Sequence, residues 1–265
     1  MIDRRRPDSP GPDPVPEWIY TPPPGPPPIV HEDCFTRDTP AGPIRAGFVV
    51  IDKPAGLLAV PGVGPEKADC ARSRVLDLYP WATGPMTVHR LDLATSGLLV
   101  LALDADTHRN LSVQFERRRP TKRYLALVEG HLAADAGLID VPMRKDFDRP
   151  PTQLVDWRDG KPSQTHWRVL ARETLAGDPV TRLELTPETG RTHQLRVHAA
   201  HPRVVTVGVP PADHPMEHDG LGAPIVGDDL YAARPADRLM LHAWTLTLNH
   251  PITGKMMSFW SEAPF

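Results

Sequence analysis

A short apolar run behind a polar loop is the feature that most restricts how this chain folds. Residues 98–103 are uninterruptedly apolar over the length of a buried strand, which is short for a helix. Gly97 precedes the run, and the loop before it carries Arg90 and Asp92. A carboxylate in a loop that feeds a buried strand is aimed with little loss of entropy. The sequence therefore predicts a rigid strand that presents Asp92 beside a guanidinium.

The same loop also has a purely structural interpretation. Asp92 is placed to cap Thr95 and Ser96 in a turn, with Arg90 solvated. The residue types in this loop leave both interpretations open.

Composition limits the class of protein. The chain has 265 residues, of which 40% are hydrophobic, enough for one large domain or two small ones. A net charge of −3 argues against nucleic-acid binding over the whole surface but allows a local basic patch. Two cysteines without a Cys-x-x-Cys pair suggest neither disulfides nor a thiolate metal site. With neither a membrane-spanning run nor a signal peptide in the sequence, we expect a cytoplasmic protein.

Proline divides the chain. Residues 1–30 hold 11 of the 33 prolines, which excludes a helix or an interior strand there. We expect an N-terminal arm over residues 1–46, either a loose tail or a segment anchored by Trp18, Ile19 and Tyr20. One globular domain is expected over residues 47–265. Its predicted strands cover residues 47–51, 98–103, 121–130, 165–171, 181–185, 239–248 and 257–260, with helices at 68–78, after Asp104 and near 195–199.

The densest basic patch lies where the helix after Asp104 ends. Its members are Arg117, Arg118, Arg119, Lys122 and Arg123. Positive charge at a helix C-terminus is also favoured by the helix dipole, so a structural role is open. Tyr124 follows at the start of a predicted strand, where its ring is either a core residue or a platform for an extruded base.

Two sequence blocks resemble the RluA family of RNA pseudouridine synthases. The first is His-Arg-Leu-Asp-x-x-Thr-Ser-Gly-Leu-Leu at residues 89–99, and the second is Thr-Gly-Arg-Thr-His-Gln-Leu-Arg-Val-His at residues 189–198. Weaker matches are found at residues 20–23, 53–62, 160–165 and 224–231. The resemblance covers residues 47–265 apart from a loop insertion at about 203–223.

The resemblance implies an α+β fold with a mixed, mainly antiparallel β-sheet and flanking helices. It implies an isomerase, an intramolecular transferase that needs no cofactor and no metal. The catalytic residues would be Asp92, Tyr124 in the active site and Arg196 holding the carboxylate. RNA would be bound by Arg90 and the basic patch. Apart from the resemblance, we expect segment 53–62 to give structural support, with Lys53 as a candidate for a phosphate contact. The subtype resembled is the short one without an added RNA-binding domain, which modifies ribosomal and transfer RNA, and we expect a monomer acting on an RNA stem-loop.

Two other functions are compatible with parts of the sequence. A non-catalytic RNA-binding module would explain the basic patch and Tyr124, but it gives no reason for Arg90, Asp92 and Arg196 to occur together. A metal-dependent hydrolase would use the histidines of the last third of the chain. His193 and His198, five residues apart, would lie roughly 140° apart around a helix, which does not suit a shared metal. His214, His218 and Asp219 remain open as ligands.

Overall fold

The secondary structure is dominated by strands. A computed structural model describes residues 19–231 and 234–265, so Trp18 lies outside the described residues. The strands are β1 (Ile29–Thr39), β2 (Gly42–Lys53), β3 (Ser96–Ala102), β4 (Thr121–Glu129), β5 (Ala136–Asp140), β6 (Met143–Lys145), β7 (Gln153–Asp156), β8 (Gln164–Leu175), β9 (Asp178–Pro187), β10 (Thr206–Val207), β11 (Leu241–Asn249) and β12 (Met256–Trp260). The helices are α1 (Ala71–Leu78), α2 (Ala105–Glu116) and α3 (Gln194–Ala200), with 3-10 turns at Pro65–Lys67 and Met216–His218.

The sheet topology is mixed and mainly antiparallel. Eight strands follow the order β1-β2-β3-β11-β4-β9-β8-β5, and β12 pairs with β11 as the ninth strand. A smaller sheet has the order β10-β7-β6. The pairings β3 with β11 and β7 with β10 are parallel, and the other strand pairings are antiparallel. This confirms the predicted α+β fold class.

The centre of the larger sheet is buried on both faces. Leu99 and Leu101 of β3 pack in a cluster with Val75 of α1, whereas Leu98 and Val100 pack on the opposite side with Leu111 of α2. Because successive strand residues point to opposite faces, a strand covered on both sides must be apolar throughout. The uninterrupted run at 98–103 is explained by this double coverage.

The helix after Asp104 is capped as its sequence predicts. Oδ1 of Asp104 accepts hydrogen bonds from the backbone N–H groups of Asp106 and Thr107, both at 3.1 Å. Oδ2 accepts one from the N–H of Gly47 at 3.0 Å. The cap therefore also fixes α2 to β2.

Several elements differ from the sequence-based expectation. Residues 29–46, expected to belong to the proline-rich arm, form β1 and the start of β2. Strands β5, β6 and β7 lie in the polar region 131–165, where the sequence pattern predicts no strand. In the arm, the Tyr20 hydroxyl donates to the carbonyl of Asp69 and accepts from the N–H of Leu58. Ile19 is 79% exposed and does not anchor the arm.

Gly97 allows the close approach of β3 to β11. Its φ is +110°, and a Cβ at this position would lie 2.4 Å from the carbonyl oxygen of Ala243. We expect Gly97→Ala to lower the free energy of unfolding by about 2–4 kcal/mol, because backbone strain and a backbone clash add. Urea denaturation measures this change.

Gly130→Ala is the matched control for Gly97→Ala. Gly130 also has a positive φ, of +77°, but an added Cβ would meet no atom within 4 Å. It should lower stability by only about 1 kcal/mol. Equal losses of stability for the two variants would show that the close approach to Ala243 does not limit this position.

Candidate active site

A large cleft lies where the loop before β3, the end of α2, the start of β4 and the segment before α3 converge. Its volume is about 1200 Å³. Six of the nine site residues predicted from sequence line it, namely Arg90, Asp92, Arg118, Lys122, Tyr124 and Arg196. Arg117, Arg119 and Arg123 are exposed and do not line it.

The loop that carries Asp92 is fixed through its backbone. The carbonyl of Asp92 accepts from the N–H of Thr95 at 3.2 Å, and the carbonyl of Leu93 accepts from the N–H of Gly56 at 2.9 Å. Within the described part of the chain, no hydrogen bond joins the Asp92 carboxylate to Thr95 or Ser96. The turn is thus closed by the main chain, which leaves the carboxylate for the cleft.

Lys53 is a buried cation beneath this loop. Its Nζ donates to the carbonyls of Pro54, Leu57 and Leu93, at 2.9, 2.7 and 3.2 Å. Burial lowers the pKa of Lys53 to about 7, and the negative charge of Asp92 opposes that shift. Because the ammonium is fully buried and bonded to carbonyls, the expectation that it contacts phosphate is wrong.

Arg196 lies on α3 and is almost fully buried. Its Nε donates to Oδ2 of Asp228 at 2.8 Å, and its Nη2 bonds to Oδ1 of Asp228 and to Oδ1 of Asp229. Burial lowers the pKa of Arg196, but its hydrogen bond to Asp228 and the charges of Asp228, Asp92 and Asp229 outweigh burial and raise it. Among the hydrogen bonds of the described residues, none joins Arg196 directly to Asp92, which acts on the guanidinium through its charge.

Tyr124 occupies the junction between the core and the cleft. In β4 it pairs with Leu185 of β9 and Ala243 of β11, and its ring packs partly buried against two apolar clusters. Burial and then the charge of Asp92 raise its pKa, so the hydroxyl is protonated at neutral pH. The two interpretations offered by the sequence are therefore compatible, because one face of a core residue lines the cleft.

Four exposed arginines and one half-buried lysine form a basic ridge, defined as Arg117, Arg118, Arg119, Lys122 and Arg123. Burial and the charge of Arg118 lower the pKa of Lys122. Mutual repulsion of this kind is relieved when a polyanion binds. Arg123 differs from the others because Glu184 lies 3.9 Å from it.

Three residues of the site are not singled out by the sequence patterns: Asp228, Tyr231 and, as a cleft residue, His193. Nδ1 of His193 lies 2.9 Å from the hydroxyl of Tyr231, and the Tyr231 ring lies 5.3 Å from the guanidinium carbon of Arg196. Asp228 and Tyr231 belong to segment 224–231, which resembles the family but suggests no chemical role by itself. The resemblance of this segment to the family is the one sequence feature that indicates a role for Asp228 and Tyr231.

The described histidines of the last third form no metal centre. Nε2 of His214 and Nε2 of His201 lie 3.3 and 4.0 Å from Oδ1 of Asp219, whereas His198 is buried against Ser163. Over residues 19–231 and 234–265, no group of three or more His, Cys, Asp or Glu side chains is arranged to hold a metal ion. None of the helices described there is long and apolar enough to cross a membrane.

Comparisons with known proteins define the class. The family described as RNA pseudouridylate synthase matches residues 47–201. The human protein RNA Pseudouridylate Synthase Domain Containing 1 has a similar structure, with a TM-score of 0.65 and 28% identity over 95% of this chain and 87% of its own. A second human structure, RNA Pseudouridylate Synthase Domain Containing 4, shares the fold, with a TM-score of 0.61 and 24% identity over 89% of this chain and 88% of its own.

Relatives narrow the class further. Dual-specificity RNA pseudouridine synthase RluA of Yersinia pestis is 42% identical over 82% of this chain and 96% of its own length. The protein of the same name from Pasteurella multocida is 40% identical over 93% and 98%. This chain belongs to the RluA family of RNA pseudouridine synthases. It is an isomerase that converts uridine in RNA to pseudouridine.

The buried Lys53 should make the free energy of unfolding depend on pH. Its folded-state pKa of about 7 lies below the roughly 10.4 of an unfolded chain, so the unfolded chain binds more protons between these pH values. Stability should therefore rise as pH increases from 7 to 10 in the wild type, relative to Lys53→Met. Urea unfolding across this range should show a difference that grows by a few kcal/mol. Lys255→Met, at an exposed site, is the control, and a parallel response of Lys53→Met and the wild type would contradict the assignment.

Proposed function

We propose that Asp92 is the essential catalytic residue and that it acts on a uridine flipped out of an RNA stem-loop into the cleft. The observation that carries this proposal is the convergence of Asp92, Tyr124 and Arg196 in one cleft, although they come from three distant parts of the sequence. A non-catalytic RNA-binding surface would need the basic ridge but not a carboxylate beside it.

Flipping follows from the geometry of the reaction. The glycosidic bond of a stacked nucleotide is out of reach, so an enzyme that breaks it takes the base out of the stack. The cleft, at about 1200 Å³, exceeds the roughly 300–1,000 Å³ of a small-molecule site. It therefore suits a nucleotide together with its flanking backbone. The partly buried ring of Tyr124 would lie against the flipped uracil.

The reaction requires no redox or hydrolytic step. The bond between N1 of uracil and C1′ of ribose breaks, and a bond between C5 and C1′ forms. C5 loses its hydrogen as a proton, and N1 gains one. Asp92 acts on the ribose, either by attacking C1′ or by removing a sugar proton, and both routes need the carboxylate free for the substrate. The buried positive charge of Arg196, together with Lys53 in its protonated form, acts electrostatically on that carboxylate.

The basic ridge and Arg90 would hold the RNA backbone. Arg90, Arg118 and Lys122 line the cleft, and Arg117 and Arg119 extend the positive surface outward. We propose a monomeric enzyme that acts on stem-loops of ribosomal RNA, transfer RNA or both. The relatives that carry "dual-specificity" in their names support more than one substrate. The insertion at 203–223 is the part in which target choice would differ.

Removing the charge of Asp92 should abolish catalysis. Asp92→Asn keeps the shape of the side chain and the backbone hydrogen bonds of its loop, so the variant should fold like the wild type. Its dissociation constant for RNA should stay within about twofold of the wild-type value. Pseudouridine should disappear from the target position in RNA mapped chemically after reaction or from cells carrying the variant. Asp135→Asn, at a surface carboxylate that is 84% exposed, should retain full activity. Normal pseudouridine levels with Asp92→Asn would reject the assignment.

The basic ridge should increase the affinity for RNA by releasing counterions from the phosphates that it neutralises. Arg118→Ala should weaken binding of an RNA stem-loop and reduce the slope of log K against log salt by about 0.7–0.9 for each phosphate that Arg118 neutralises. Filter binding at a series of salt concentrations measures both effects. Lys255→Ala, which removes an exposed lysine outside the cleft, should leave the slope unchanged. An unchanged slope for Arg118→Ala would place the RNA elsewhere.

A further inference from the structure

We propose that His193 contacts the substrate and that its Nε2–H donates a hydrogen bond to an oxygen of the flipped uridine. Tyr231 is the positioning residue that fixes the ring. This inference rests on the proposed function of the cleft and adds a donor beside Asp92.

The position of His193 points to the substrate. Its ring lines the cleft, and the charge of Asp92 acts on it directly. Its backbone has φ 54° and ψ 18°, a left-handed conformation that is uncommon outside glycine, although asparagine, aspartate and histidine adopt it more often than other residues. Such strain persists where the surroundings hold it, and it is concentrated at functional sites. The left-handed backbone places the His193 ring immediately before α3, whose residues are all buried.

A relay of hydrogen bonds fixes which ring nitrogen carries the proton. The backbone N–H of Gln153 donates to the Tyr231 oxygen at 2.7 Å. Nδ1 of His193 lies 2.9 Å from the same hydroxyl. Because the hydroxyl has one proton of its own and Nδ1 is its one acceptor among the described residues, we assign that proton to the bond with Nδ1. Burial lowers the pKa of His193 despite the opposing charge of Asp92, so the ring is neutral at pH 7. A neutral ring that accepts at Nδ1 carries its hydrogen on Nε2.

The Nε2–H is left for the substrate. Among the described residues, the hydrogen-bond partner of the ring is Tyr231, at Nδ1, and His193 lines the cleft, so no protein group competes for Nε2. Uridine offers acceptor oxygens in its 2′-hydroxyl and in its ring carbonyls O2 and O4, of which the 2′-hydroxyl and O2 lie beside the glycosidic bond. Because the donor is neutral, it binds any of these without pairing with Asp92 as a cation would.

Two substitutions with opposite expectations test the donor. Asparagine favours the left-handed backbone, so His193→Asn should fold normally, but its short amide does not reach the position of Nε2. We expect it to lower kcat/KM for a uridine stem-loop about tenfold or more. Glutamine places an amide N–H near the position of Nε2, so His193→Gln should recover most of that loss. The control His131→Phe changes an exposed histidine outside the cleft and should have no effect.

Tyr231→Phe tests the relay. It keeps the ring beside Arg196 but removes the hydroxyl, so it should lower kcat/KM less than His193→Asn. The double variant with His193→Asn should be no worse than His193→Asn alone, because the hydroxyl acts through the histidine. Independent, multiplicative losses would overturn the positioning role.

Substrate analogues identify the acceptor. Affinities are measured for stem-loops with uridine, 2′-deoxyuridine, 2-thiouridine or 4-thiouridine at the target, in the Asp92→Asn background so that no reaction occurs. The protein with His193 should bind RNA more tightly than the protein with His193→Asn. This difference in affinity should disappear for the RNA that lacks the contacted oxygen. The proposal is overturned if the difference is the same for all four RNAs, or if His193→Asn stays within twofold of the wild type in kcat/KM. Pseudouridine formation by the wild type in the same assay tests the proposed function separately.

Discussion

The buried ion pair between Arg196 and Asp228 holds the site together. A guanidinium taken out of water is tolerated only where its charge and its donors are matched, and Asp228 supplies a two-point partner. Oδ1 of Asp228 also accepts from the backbone N–H groups of Leu230 and Tyr231. Removing one partner of such a pair costs about 3–5 kcal/mol. The pair fixes α3 to the segment that carries Tyr231, and thereby the cleft wall that contains His193 and Arg196.

The other wall depends on the large sheet. β3 is covered by α1 on one face and α2 on the other, which makes it a rigid support for the loop before it. Lys53 anchors that loop by donating to the carbonyl of Leu93, the residue after Asp92. The loop that carries Asp92 is thus held by hydrogen bonds to its main chain, and the wall at α3 is held by a buried ion pair. Both supports leave the carboxylate oxygens of Asp92 available to a substrate.

Strands with a strong hydrophobic pattern and motifs with many fixed positions can be predicted from this sequence. β3 and the Asp104 cap follow from local chemistry, and the convergence of Asp92, Tyr124 and Arg196 followed from the family resemblance. The resemblance implies that Arg196 holds Asp92, but its hydrogen bonds go to Asp228 and Asp229. Asp228 could not be inferred as its partner, because it is distant in sequence and only the fold brings it close. The burial of Lys53 has the same origin. β5, β6 and β7 escaped prediction because they are short, and their polar region carries turn residues that conceal a period of two.

In the proposed reaction, this cleft joins C5 of a uracil to C1′ of its own ribose. The most direct measurement uses an RNA stem-loop whose uridines carry tritium at C5, incubated with the purified protein. Tritium should pass into water in a one-to-one ratio with the pseudouridine formed, while the RNA chain and its base remain intact. Retention of the tritium, or release of free uracil, would show that the cleft does not make this bond.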